Sequence, residues 1–147
     1  MILVPKQKEE DKMGKLKWIL IVLVLLLFGC AQVQKREQMA LFDDTSRSYD
    51  LAIRWGEYEE AFGFKKLSDK DNKLPDFAEY RKIKVTSYKV KKTIVDEKSF
   101  SKVLRIVDIQ YYSLSNVTVK NFIDQQEWEY DEELDRWYLM SDLPVFK

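Results

Sequence analysis

The chain has 147 residues, 46% hydrophobic and 34% charged, a composition that suits one globular domain and excludes a disordered or fibrous protein. Lys plus Arg and Asp plus Glu number 25 each, so no global charge draws it to nucleic acid, and one cysteine cannot form an intramolecular disulfide. Histidine is absent, which excludes Ser–His, Cys–His and zinc chemistry.

The first element in chain order is residues 18–28, WILIVLVLLLF, an apolar run of 11. A spanning helix needs about 20 such residues. Eleven fits the hydrophobic region of a secretory signal, with Lys15 and Lys17 as its positive flank. Directly after it, Leu27-Phe28-Gly29-Cys30 resembles the lipobox of bacterial lipoproteins: an aliphatic residue, then a small residue, then the cysteine. Phe28 is bulkier than that pattern favours.

The resemblance implies that residues 1–29 are a signal peptide, cut before Cys30. It also implies a diacylglyceryl group on the Cys30 sulfur and an acyl chain, such as palmitate, on the new amino group. Two chains anchor stably where one does not. Ala31 in place of Asp resembles the class sent to an outer membrane, facing the periplasm. Acidic Glu9, Glu10 and Asp11 are unusual in a signal, whereas from Met13 the chain reads MGKLKWILIVLVLLLFGC; translation is expected to start there. Without the five lysines and three acidic residues of 1–29, 20 basic and 22 acidic residues remain, a net charge of −2.

Residues 30–44 are the lipidated cysteine and a polar, Gln-rich tether, helical toward its end. Residues 45–147 form the folded domain. Leu51, Trp55, Tyr58 and Phe62 fall at spacings of 4, 3 and 4, predicting an apolar helix face, with Thr45 or Ser46 as N-cap. Gly56 interrupts this pattern and predicts a turn between one helix ending near Trp55 and a second over 57–64. Residues 68–75, SDKDNKLP, read as a loop.

Beyond Asp76 the period changes to two. Residues 80–95 alternate, with Ile83 and Val85 on one face and basic residues on the other. Residues 102–113 form a β-branched, aromatic strand; 117–130 follow after a break at Ser115-Asn116, and 136–140 close the sheet. DEKS (96–99) and DEELD (131–135) supply turns. Helices first and then a four-strand antiparallel meander is an α+β pattern.

Gly56-Glu57-Tyr58-Glu59, the run IKVTSYKV (83–90) and the pairing of Trp128 and Tyr130 with Trp137-Tyr138-Leu139 together resemble an NTF2-like, cystatin-like α+β cone. The resemblance implies N-terminal helices packed on a curved antiparallel sheet of about four strands, with a pocket between them. Some enzymes of this fold, isomerases and dehydratases, place Asp and Tyr groups there; this chain offers Asp108, Tyr111, Tyr112, Asp124 and Tyr138 on strands as candidates. No spacing singles out a catalytic pair. Trp55, Tyr58, Tyr112, Trp128 and Trp137 are the candidates for lining a pocket, and the same aromatics are what a core requires. The basic strip Arg81, Lys82, Lys84, Lys89, Lys91 and Lys92, like the acidic run 127–135, reads as a solvated face.

The expected function is non-enzymatic. The reading is a lipoprotein held to a bacterial membrane through Cys30, an envelope accessory module that recruits a protein partner by its sheet or hairpin surface. A homodimer is one form of that assembly. A small-molecule or lipid carrier using the cone is the alternative, and an isomerase or dehydratase comes third. Neither cofactor, metal nor nucleic acid is expected.

Overall fold

A computed structural model describes the backbone of residues 7–68 and 74–147, and the side chains of 14–24, 32–68 and 74–147. The Cys30 side chain and most of the loop expected over 68–75 lie outside the described residues. The chain divides into two units, residues 1–38 and 39–147.

A single helix, α1 (Gln7–Trp55), contributes to both units. In the first unit its described apolar side chains from Leu16 to Val24 are all exposed, Trp18 at 71%. Among the described residues no helix has a window apolar enough to cross a membrane.

In the second unit the C-terminal turns of α1 bury Phe42, Ser46, Tyr49 and Ile53, spaced 4, 3 and 4, with small Ala52 beside them. This corrects two expectations. Phe42, assigned above to the tether, is 2% exposed, so the folded unit starts before Thr45. The helix face of Leu51 and Trp55 points to solvent, at 45% and 75% exposure. The N-cap expected at Thr45 or Ser46 is also absent, because the helix runs straight through. The Ser46 hydroxyl donates instead to the Asp43 carbonyl three residues back (3.4 Å), a bond made inside a helix.

Gly56 ends α1 with φ +76°. Its N–H donates to the Ile53 carbonyl (3.3 Å), and the Glu57 N–H to that of Ala52 (2.8 Å). This pair of reversed bonds satisfies carbonyls left over at a helix end, and it needs a left-handed residue. The short helix α2 (Tyr58–Phe62) follows, within the expected span 57–64. Helix α3 (Phe77–Tyr80) is capped by Asp76, whose carboxylate accepts from the Ala78 N–H (3.0 Å) and the Glu79 N–H (3.4 Å). That cap keeps Tyr80 helical, so the first strand begins three residues later than its alternation suggested.

The strands β1 (Ile83–Val95), β2 (Lys102–Ser113), β3 (Asn116–Asp131) and β4 (Arg136–Leu139) form one antiparallel sheet in the order β1-β2-β3-β4. Register shifts between Val85 and Ser87, and between Val90 and Lys92, interrupt the β1 ladder, as bulges do. Alternation sends Val103, Arg105, Val107, Ile109 and Tyr111 of β2 inward, all buried. From β3 the inward set is Asp124, Gln126 and Trp128, and from β4 it is Trp137 and Leu139.

The core forms where α1 meets this face. Phe42 packs edge-on against Trp128 and Trp137, with ring centroids 6.0 and 5.0 Å apart, and Tyr49 meets Trp128 at 5.3 Å. After β4 the chain recrosses the inner face through Leu143, 4% exposed, and buried Pro144.

Candidate functional site

The sheet has an inner face that is occupied and an outer face that is not. The inner face carries a polar cluster in the midst of the core. Arg105 of β2 is 4% exposed, and its guanidinium donates to both carboxylate oxygens of Asp50 on α1, at 2.9 and 2.7 Å. The same Asp50 accepts from the Tyr88 hydroxyl of β1 at 2.6 Å. Gln126 of β3 completes the ring. Its carbonyl accepts from Arg105 (3.2 Å), and its amide donates to the Tyr88 oxygen (2.8 Å) and to Asp124 (2.9 Å).

The electrostatics follow from burial. Burial alone would weaken the hold of Arg105 on its proton, but the hydrogen bonds and charge of Asp50 more than offset this and leave it raised. Tyr88 is pushed well above the usual phenol range, first by burial and then by the Asp50 charge it touches. Asp124 lies above the usual carboxylate range because it is buried, although the Gln126 hydrogen bond and the Arg105 charge pull it back. These bonds link Asp50, Tyr88, Arg105, Asp124 and Gln126 into one connected network. Its hydrogen bonds clamp α1 to three strands.

Sequence reasoning named Asp124 but missed Asp50, Arg105 and Gln126. A signal was present: Arg105 sits in phase with Val103, Val107 and Ile109, and Gln126 with Trp128, so polar residues occupy the apolar phase of two adjacent strands.

Of the five pocket candidates, Tyr58, Trp128 and Trp137 share one core and Trp55 and Tyr112 lie outside it. Trp128 and Trp137, 1% and 0% exposed, fill the core against Phe42. Tyr58 lies in the same core, with its own ring against Tyr80 and Phe146. Tyr112 is half-buried and lies opposite Lys84 on the outer face, and Trp55 is exposed at the end of α1. Of the other strand candidates, Tyr111 binds the backbone of Lys147, Asp108 lies 3.4 Å from Lys91, and Tyr138 lies under the cations of Arg136 and Lys66.

The outer face mixes apolar and polar side chains: Ile106 lies between Lys92 and Gln125, and Ile123 lies opposite Asp108. Ile94 faces Leu104 across one ladder, and Ile106 and Ile123 are diagonal neighbours two rungs apart on the next; Ile123 is 52% exposed and Val119 58%. On its far side β3 has a partner only over Trp128–Asp131, so the ladder groups of residues 116–126 face outward there without a strand. The basic strip of β1 and the acidic run of β3 and its turn lie on opposite sides of β2. The run pairs instead with Lys102 (Glu129, 3.5 Å) and Lys66 (Asp131, 3.0 Å).

Compared with protein-family models, with curated proteins and with solved structures, this chain matches none.

Proposed function

We propose that this chain is a membrane-anchored envelope lipoprotein whose folded unit is a non-enzymatic interaction module of NTF2-like type. The observation that carries the reading is the contrast between the faces of the sheet. The inner face is filled by α1, the polar clamp and the segment after β4, whereas the outer face leaves Val119 and Ile123 exposed beside half-buried Leu104 and Ile106. Apolar surface left bare beside an open strand edge favours association with another protein. The α+β order and the bulged first strand support the cone assignment. The exposed apolar turns from Leu16 to Val24 support a signal segment, and Cys30 after them supports lipid attachment at its sulfur, toward the periplasmic side of an outer membrane.

The carrier reading has one foothold, an open cleft of about 860 Å³ beside Asp124 and Phe122. Its walls set Lys120, Asp124 and Asp142 among Phe122, Leu143 and Val145.

The test joins both halves of the proposal. Cys30→Ala should move the protein from the membrane pellet to the soluble fraction. A photo-crosslinking residue at position 123 should give one discrete adduct in intact cells, and one at exposed Leu134 should give none. Pelleting of the Cys30 variant would refute the anchor, and identical patterns from the two positions would refute the outer-face interface.

A further inference from the structure

The segment after β4 has no regular structure, and it rests on the inner face in an uneven way. Leu143 and Pro144 are buried, but Phe146 is half-buried while its ring contacts four others. The centroid distances are 4.8 Å to Tyr111, 5.6 Å to Phe122, 5.9 Å to Tyr80 and 6.0 Å to Tyr58. Nearer β4 the segment is held by its own side chains, Asp142 to Lys65 and Ser141 to the Glu127 N–H, whereas over residues 145–147 the holds beyond the ring are to backbone atoms. The Tyr111 hydroxyl donates to the Lys147 carbonyl (2.7 Å) and accepts from its N–H (3.0 Å), and the Lys120 ammonium donates to the same carbonyl (2.8 Å).

One ring in an aromatic box plus backbone hydrogen bonds is a mode of holding that any extended peptide with a suitably placed ring can satisfy. The groove also extends past its occupant. A cavity of about 230 Å³ opens on one side of Val145 and the 860 Å³ cleft on the other. The Tyr58 hydroxyl in the box is buried with no hydrogen-bond partner among the described residues, so the present occupant leaves a donor unsatisfied.

We propose that the groove walled by Tyr58, Tyr80, Tyr111 and Phe122 is a peptide-binding site, filled in cis by residues 145–147 and taken in trans by an extended, ring-bearing segment of a partner protein. The tethered segment competes at a high effective concentration, so it sets a threshold that weak or ringless peptides do not pass. This site lies on the face opposite to the bare one and depends neither on that interface nor on the lipid.

The experiment uses the full chain in detergent micelles and a fluorescein-labelled peptide Asp-Leu-Pro-Val-Phe-Lys, read by fluorescence anisotropy. Phe146→Ala should bind the peptide at least about tenfold more tightly than the unsubstituted protein, because the plug has lost its ring. Adding Phe122→Ala should remove that gain. Equal affinity of the first two proteins would overturn the proposal, as would binding of the dye anilinonaphthalene sulfonate to Phe146→Ala without binding of peptide. If Phe146→Ala loses its near-ultraviolet circular dichroism, hydrogen exchange on the unsubstituted chain decides. Lys147 amide exchange at least about 100-fold faster than that of Val107 supports a plug that withdraws, and equal protection overturns it.

Discussion

Arg105 of β2 and Asp50 of α1, 55 residues apart in sequence, meet in a two-pronged ion pair inside the core, and Tyr88 and Gln126 bond to the same two groups. The pair fixes which turn of the helix lies over which rung of the sheet. Among the described residues it is the one ion pair set so deeply, with side-chain exposures of 5% and 19%.

Asp50→Leu should therefore cost more than an ordinary surface substitution. It strands a buried guanidinium, and breaking a buried pair from one side costs about 3–5 kcal/mol. Asp50→Leu with Arg105→Met should lose less than Asp50→Leu alone, because no unpaired guanidinium is then left in the core. Urea unfolding of the three proteins checks this; a single-variant loss below about 1 kcal/mol would show that Arg105 finds water.

Asp124 gives the folded unit a pH dependence of definite sign. Burial raises its pKa above the ordinary value of 3.8, so between the unfolded and folded values the native state holds more protons. Its contribution to stability is then largest below the ordinary value and falls as pH rises through that window. Asp124→Asn removes the effect. The stability of Asp124→Asn relative to the unsubstituted protein should rise from pH 3 to neutrality, and a flat difference would contradict the burial of the charge. The comparison cancels Asp96 and Asp131, which are held below the carboxylate range by hydrogen bonds and pull the other way.

Phe42 and Trp55 exchange the roles that their surroundings in sequence suggest. Phe42→Ala removes a ring set between Trp128 and Trp137 and should cost about 3–5 kcal/mol. Trp55→Ala, at a position 75% exposed, should stay within about 0.5 kcal/mol. Thermal or chemical unfolding separates the two plainly.

Gly56→Ala tests the end of α1. The added Cβ would meet only the Tyr58 ring at 3.6 Å, an ordinary contact. The cost comes from φ +76°, about 1–2 kcal/mol for a residue with a side chain. A change near zero would mean that the helix end re-forms without its reversed bonds.

Much of the second unit was legible in the chain itself. The limits of β2 fall where its β-branched run begins and ends, and β3 and β4 each lie within a residue of theirs, because an alternation of period two is written into successive residues. The break at Gly56 was legible for a similar reason: a left-handed turn demands a residue without a Cβ. The absence of histidine and the position of Cys30 are facts of sequence alone. Which face of α1 is buried was not legible. Leu51 and Trp55 make the more apolar stripe, yet the sheet takes Phe42, Ser46, Tyr49 and Ile53, where small Ser46 and Ala52 let the helix come close. The partner of Arg105 and the ring box around Phe146 depend on register across β1, β2 and β3 and on the return of the chain after β4. Those contacts join residues tens of positions apart, where local periodicity carries no information, and only the packed structure decides them.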